Sequence, residues 1–176
     1  MPPRLPSFRK RSRTERCRVG AVQSQRTSFS LELEDTLAVN QHPYKVAVDR
    51  TRSDAGIPER GWVNMDVRWL ITKDTVGASK TVFGVTVFPP GARHEIHRHP
   101  NAEEVEYLVS GSGIAYIDDD AVELGPGEAV FVPENAYHGF ENNSDAEVVM
   151  AWYYAGAASL EDAGFVTRSE DEEGVA

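Results

Sequence analysis

The chain has 176 residues, a hydrophobic fraction of 40% and a formal net charge of −10, a profile typical of one globular domain. Its first 30 residues carry eight of the 18 basic residues and one of the 28 acidic residues, so the strongly acidic remainder should repel nucleic acids. No apolar run approaches a membrane span, and the single cysteine excludes an intramolecular disulfide, so we expect a cytoplasmic protein without membrane or nucleic-acid partners.

The N-terminal part of the sequence predicts little regular structure. Residues 1–28 are basic and polar, and they lack the apolar core of a secretory signal. We expect a disordered basic extension, with a transit peptide or a misassigned start codon as alternatives. Residues 29–48 predict short strands around a turn. Residues 49–61 predict a polar loop, whose arginines either are simply solvated or line a mouth that admits an anionic substrate.

The next two segments predict β-strands. Residues 81–88 form an apolar run that is broken by Pro89 and Pro90. Residues 62–71 alternate between apolar and polar side chains, which predicts one half-buried strand. On its inner face we expect Val63, Met65, Val67, Trp69 and Ile71.

A histidine-rich stretch follows and suggests a metal site. His97 and His99 are two residues apart, so a β-strand would place both imidazoles on one face. Pro100 ends this strand, and Glu104 opens the next apolar run, from which its carboxylate can fold back over the imidazoles. Two imidazoles and a carboxylate suit a divalent first-row metal such as iron, manganese, zinc or nickel.

A fourth ligand is expected from a later strand. Residues 125–127 predict a turn, residues 129–132 a strand and residues 133–135 a second turn, after which His138 begins another strand. In an antiparallel meander a histidine two turns later can return to the same cavity. His138 is therefore the candidate.

These two segments resemble the paired motifs of the cupin family. The first family motif, G-x5-H-x-H-x3/4-E-x6-G, is matched by Gly91, His97, His99, Glu104 and Gly111. The second, G-x5-P-x-G-x2-H-x3-N, is matched by Gly127, Pro133, His138 and Asn142. The one departure is Asn135, where the family has glycine. Asparagine tolerates a left-handed backbone best after glycine, so we expect the turn to be kept.

The resemblance implies an all-β fold with a single jelly-roll antiparallel β-barrel over residues 29–165, preceded by the N-terminal extension and ended by a short helix. The motifs, over residues 91–142, would hold a divalent metal inside the barrel. Its implied ligands are His97, His99, Glu104 and His138. The resemblance also implies a homodimer, with the strand around residues 29–48 crossing to the partner.

Strand alternation predicts the neighbours of these ligands. If the two motif histidines face inward, so do Arg93 and Glu95, whereas His94 faces away. If the motif glutamate faces inward, so does Glu106. Its carboxylate could orient a ligand imidazole, transfer a proton in catalysis, or lie at a solvated strand end. The candidate substrate-pocket residues are Arg93, Tyr137, Phe140 and Trp152.

The C-terminal part predicts a closing strand over residues 146–154. Ser159 with Asp162 forms a capping-box pattern ahead of a short helix that ends at Gly164. Residues 166–176 are acidic, and we expect a disordered tail.

Three imidazoles and a carboxylate leave open positions on a six-coordinate metal, which can act as a Lewis acid or, if it is iron, as a redox centre. The sequence favours an Fe2+ dioxygenase acting on a small organic molecule, because aromatic residues near the motifs could shape a cavity. The first alternative is a non-redox Mn2+, Zn2+ or Ni2+ enzyme, such as a decarboxylase, lyase or isomerase, with Glu106 as the proton-transfer group. The second is a cupin that binds a small molecule without turnover.

Overall fold

The described part of the chain is dominated by antiparallel β-strands. The structure is a computed structural model that describes residues 42–56, 58 and 61–173. The extension expected over residues 1–28 and most of the expected N-terminal arm lie outside the described residues.

The strands form two sheets that pack face to face. The first sheet contains, in spatial order, β1 (Trp62–Val63), β4 (Arg93–Arg98), β9 (His138–Glu141), β6 (Gly113–Ile117) and β7 (Asp120–Leu124), with β11 (Val166–Thr167) also paired to β4. The second contains β2 (Asp66–Ile71), β3 (Thr81–Phe88), β10 (Val148–Ala155), β5 (Glu103–Ser110) and β8 (Ala129–Val132). All the strand pairings are antiparallel. This confirms the predicted all-β, jelly-roll class.

Side chains from the inner faces of both sheets form the core. Phe88 on β3 meets Phe140 on β9, with their ring centroids 4.9 Å apart. Beside them, Trp152 on β10 lies over Gly84, where an added Cβ would stand 2.1 Å from the indole. A glycine at this position therefore makes room for a large aromatic ring in the middle of the barrel.

Short helices flank the barrel. Thr72 caps α1 (Lys73–Val76), and Ser159 caps α2 (Leu160–Ala163) by accepting a hydrogen bond from the Asp162 amide at 3.2 Å. The helix expected from the capping pattern is thus present. Within the described residues, no helix is long and apolar enough to cross a membrane.

The segment after α2 differs from the sequence-based expectation. Residues 166–173 form β11 and α3 (Arg168–Glu173) instead of a disordered tail. They are held by partners that composition does not reveal: β11 pairs with β4, and Asp171 on α3 bonds to Arg98.

The segment 62–71 is two strands and not one. Asn64 adopts a left-handed conformation with φ of 56°, which separates β1 from β2. The pairing of β2 with β3 then shifts register between Trp69 and Ile71. This irregularity interrupts the alternation, so Leu70 is buried while Ile71 is only half-buried.

A second register shift affects the strand that carries the motif histidines. His94 pairs with Phe140 and His97 with His138, so two residues of β4 lie opposite the single residue Gly139. A Cβ at Gly139 would come within 2.7 Å of the His94 carbonyl oxygen, and the bulge therefore requires glycine there. The extra residue reverses the facing of every β4 side chain that precedes it.

Candidate metal centre

All four predicted ligands meet inside the barrel. His97 lies near the end of β4 and His99 just beyond that strand. Glu104 lies on β5 and His138 begins β9, so both sheets contribute. One potential ligand atom from each residue lies within 4.8 Å of the others, and all four residues are buried. The second-motif turn has its expected form, with Asn135 at φ of 68°.

Backbone carbonyl groups orient the three imidazoles. The Nδ1 atoms of His97, His99 and His138 lie 2.9, 2.5 and 3.1 Å from the carbonyl oxygens of residues 95, 164 and 136. A nitrogen beside a carbonyl oxygen must donate, so each ring carries a proton on Nδ1 and turns Nε2 toward the cluster. This is how proteins commonly orient metal-binding histidines.

The charge of the cluster also suits a cation. Burial raises the pKa of Glu104, but the adjacent imidazoles of His138 and His99 outweigh burial and lower that pKa to about 2. The Glu104 Oε2 atom lies 2.8 Å from His138 Nε2 and 3.5 Å from His99 Nε2. Burial, followed by the neighbouring histidines, lowers the pKa of His97 well below its usual value. Burial opposes a charge on His138, but its contact with Glu104 outweighs burial and raises the pKa of His138. The cluster is thus one carboxylate among three imidazoles, one of them paired with it.

The unpaired nitrogens show that the four residues fit a metal ion. The Nε2 atoms of His97 and His99 are buried without a hydrogen-bond partner among the described residues. A buried polar atom without a partner costs roughly 1–3 kcal/mol, and metal ligation would remove that cost at both nitrogens. Three imidazole nitrogens and a carboxylate form a donor set for a divalent first-row metal.

An aromatic cavity adjoins the cluster. Its wall includes Trp62, Trp69, Phe88, Phe140, Trp152 and Tyr154, with Glu104 from the cluster exposed to the same space. Two of the four predicted pocket residues, Phe140 and Trp152, therefore line this cavity. The cavity volume is about 20 Å³, room for about one water molecule, so a flat apolar molecule could bind against this wall only if the aromatic side chains moved apart.

Glu106 lies in the cavity wall, on the inner face of β5 as strand alternation predicted. Glu106 is 4% exposed, and its Oε2 atom has no hydrogen-bond partner among the described residues. Burial, with a further contribution from the charge of Glu104, raises the pKa of Glu106 to about 8. A carboxyl group with a free oxygen therefore stands beside the metal ligands. Its catalytic role stays a prediction.

His94 also lines this cavity, contrary to prediction. Its ring centroid is 3.9 Å from that of His97, and its buried Nε2 atom has no partner among the described residues. Burial, followed by the charge of His138, lowers the pKa of His94 to about 3, so the imidazole is neutral. The bulge in β4 brings His94 inward. The glycine at position 139 was the one sequence signal of that bulge.

The other two predicted pocket residues lie outside the cavity. The same bulge turns Arg93 outward, where its Nε donates to Glu95 Oε1 at 2.6 Å on the surface. Tyr137 immediately precedes His138 on the chain, and its hydroxyl donates to Asp171 outside the barrel. Neighbouring residues of an extended chain point to opposite faces, so Tyr137 faces outward because His138 faces the cavity.

A jelly-roll barrel with a buried three-histidine, one-glutamate cluster defines a class of metal-site β-barrel proteins. The cupin domain model matches residues 84–154. Over 108 residues the chain is 34% identical to the protein SchB of Streptomyces halstedii, a match that covers 61% of this chain and 78% of SchB. The chain belongs to the cupin family.

Two further proteins, one compared by sequence and one by structure, are similar to this chain. The chain is 32% identical over 101 residues to the polyketide synthase CurC of Streptomyces cyaneus, covering 57% of this chain and 66% of CurC. The solved structure of the polyketide cyclase RemF from Streptomyces resistomycificus superposes with a TM-score of 0.59 at 23% identity, covering 70% of this chain and 84% of RemF. RemF shares the fold.

Proposed function

We propose that this cupin is a metal-dependent enzyme that catalyses non-redox proton transfer on a small, flat carbonyl compound. The observation that carries this proposal is the position of the Glu106 carboxyl group. Its free Oε2 atom faces an aromatic cavity beside the four metal ligands, with no other hydrogen-bond partner among the described residues. A carboxyl group in this setting is the arrangement that general acid–base catalysis uses.

Different residues of the chain would bind the metal, transfer the proton and contact the substrate. His97, His99, Glu104 and His138 would hold a divalent ion, which when bound polarises a carbonyl oxygen as a Lewis acid. The ionised form of Glu106 would accept a proton at Oε2 from the carbon next to that carbonyl. The electron pair of the broken C–H bond passes into the enolate, and Glu106 returns the proton after rearrangement or ring closure. The aromatic walls would exclude water, and they would have to move apart to pack against a flat substrate, because the cavity volume is about 20 Å³.

A carbonyl substrate is also supported by the comparison with CurC. That relative carries the name polyketide synthase, and polyketides are chains of alternating carbonyl and methylene groups whose protons are readily removed. The shared 101 residues are 32% identical. A compound with several carbonyl groups is therefore the substrate class that we propose.

The Fe2+ dioxygenase that the sequence favoured is the second candidate. The same three imidazoles and carboxylate suit iron, and the aromatic cavity would shield an iron–oxygen reaction from water. The two candidates differ in a measurable way, because a dioxygenase consumes molecular oxygen and a proton-transfer enzyme does not.

The test combines metal analysis with an isotope-exchange assay. The protein is purified anaerobically without a metal-affinity tag, and its metal content is measured by elemental mass spectrometry. The aromatic ketone 1-indanone is then added in D2O, and deuterium uptake at the carbon next to the carbonyl is followed by NMR. Oxygen consumption is recorded in parallel.

The Glu106→Gln variant should keep its metal and lose about 10²- to 10⁴-fold in exchange rate, the usual contribution of a general acid or base. Glu103→Gln is the matched control, because Glu103 lies on the same strand but is exposed on the outer face. Exchange that is unaffected by Glu106→Gln would refute the proposal. Iron with stoichiometric oxygen uptake would replace it with the dioxygenase.

A further inference from the structure

We propose that the C-terminal strap, residues 164–173, positions the metal ligands, and that Asp171 on its outer side is a positioning residue for the metal centre. The strap runs along the edge of β4, where the β11 residues Val166 and Thr167 pair with Arg98 and His97. This proposal rests on the metal site and is independent of the reaction proposed above.

The inner side of the strap contacts the ligand imidazoles directly. The Gly164 carbonyl oxygen accepts the Nδ1 proton of His99 at 2.5 Å. The Phe165 ring lies 4.6 Å from the His97 ring at an interplanar angle of 25°, and 6.0 Å from the His99 ring. These contacts restrict the rotation of two ligands, so the direction of their lone pairs depends on where the strap lies.

Gly164 allows this approach. Its φ of 76° lies in the left-handed region, and a Cβ there would stand 2.9 Å from Pro100 Cδ. A side chain at this position would push the strap away from β4. Glycine therefore lets the carbonyl group reach His99.

The outer side of the strap is held by Asp171. Arg98 donates to both of its carboxylate oxygens, from Nε and Nη2 at 2.7 Å each, and the Tyr137 hydroxyl donates to Oδ2. Arg98 lies between His97 and His99 in sequence, and Tyr137 immediately precedes His138. One carboxylate on α3 thus bonds to the chain neighbours of three ligands, on β4 and immediately before β9.

This connection links the surface to the metal centre. Because alternate residues face opposite sides of a strand, fixing Arg98 outside the barrel also fixes the backbone that aims the two adjacent imidazoles inward. The two-oxygen contact with Arg98 adds directionality that a single ion pair lacks. Loss of the Asp171 carboxylate should loosen the strap and misalign the ligands while the barrel remains folded.

The test measures metal affinity in the absence of any substrate. Dissociation constants for Zn2+ are determined by competition with a chromophoric chelator for the full-length wild-type protein and for Asp171→Ala. Removal of a group that hydrogen-bonds to a metal-binding histidine typically weakens metal binding about 10- to 100-fold. Asp171 does not contact the ligands themselves but bonds to their chain neighbours, through partly exposed groups, so its effect should be smaller. We therefore expect affinity to fall about three- to tenfold.

Glu172→Ala is the matched control, because Glu172 is an exposed acid on the same helix and its removal changes the net charge equally. This variant should bind Zn2+ as the wild type does. A second readout separates positioning from general destabilisation. The visible spectrum of the Co2+-loaded protein, which reports ligand geometry, should change in Asp171→Ala and remain unchanged in Glu172→Ala.

Tyr137→Phe removes only the second contact of Asp171, so it should weaken Zn2+ binding in the same direction but less. Equal affinities for wild type and Asp171→Ala, with identical Co2+ spectra, would overturn the proposal. Equal losses in Asp171→Ala and Glu172→Ala would also overturn it, because they would reveal a simple charge effect. A wild-type protein that binds no metal would refute the metal site as well.

Discussion

Replacement of His99 by alanine tests the metal centre by its effect on thermal stability. The His99 residue is 1% exposed, its Nδ1 atom donates to the Gly164 carbonyl oxygen, and its Nε2 atom is buried without a partner among the described residues. Without a metal this ring combines favourable packing with an unsatisfied nitrogen. With a metal, the same nitrogen becomes a ligand.

The expected magnitudes follow from this geometry. In the metal-free protein, loss of a buried ring costs about 3 kcal/mol, and removal of the unsatisfied nitrogen returns about 2 kcal/mol, so the net loss should be about 1 kcal/mol. A metal at 100 times its dissociation constant stabilises the wild type by about 2.7 kcal/mol, which raises Tm by about 5–10 °C in a domain of this size.

The variant should lose most of this increase. If removal of one ligand weakens the affinity about 100-fold, the same metal concentration stabilises the variant by only about 0.4 kcal/mol, or about 1 °C in Tm. Differential scanning calorimetry with and without Zn2+ measures the increase directly. His42→Ala is the control, because His42 is exposed and lies outside the cluster. A His99→Ala variant that retained the full increase in Tm would show that His99 is not a ligand.

Two further predictions concern the frame around the site. Asn142 is fully buried and donates to the carbonyl oxygens of Phe88 and Ala146. Asn142→Ala should therefore lower the free energy of unfolding, measured by urea denaturation, by about 2–4 kcal/mol. A loss below about 1 kcal/mol would contradict this prediction. The hydrogen bond from Arg98 lowers the pKa of Asp171 to about 2, so this pair contributes stability above about pH 4 that is lost as the pH falls toward 2. In Arg98→Met the pKa of Asp171, measured by NMR titration of its carboxyl carbon, should rise toward its usual value, and an unchanged midpoint would rule out Arg98 as the cause.

The metal ligands could be predicted from sequence because their placement depends on local rules. His97 lies on β4 and His99 continues the same extended segment just beyond it, so both side chains are buried on one face, and the turn after Pro100 brings the next strand back beside them. Asn135 takes the left-handed conformation that the second turn requires. Alternation along a regular strand also predicted that Glu106 faces inward, and β5 is regular through that position.

The cavity wall was harder to predict because it depends on an irregularity. A β-bulge arises from the pairing of two strands, and the sequence of one strand alone does not show it. On β4 the bulge lies between His94 and His97. The ligands after the bulge keep the inward face that was predicted, whereas His94 faces inward instead of outward and Arg93 outward instead of inward. A single extra residue therefore put a histidine into the cavity and an arginine on the surface.

The order of the C-terminal strap shows a different limit of sequence reasoning. Its acidic composition indicates a solvated tail, because like charges repel and no apolar face is present. What orders it is a specific partner, since Arg98 meets Asp171 across a separation of 73 residues. Arg98 itself was visible in the sequence as the residue between the two motif histidines. Composition describes a segment by itself, whereas the strap is stabilised by groups that surround the metal centre. Its order and the alignment of the ligands should therefore be lost together.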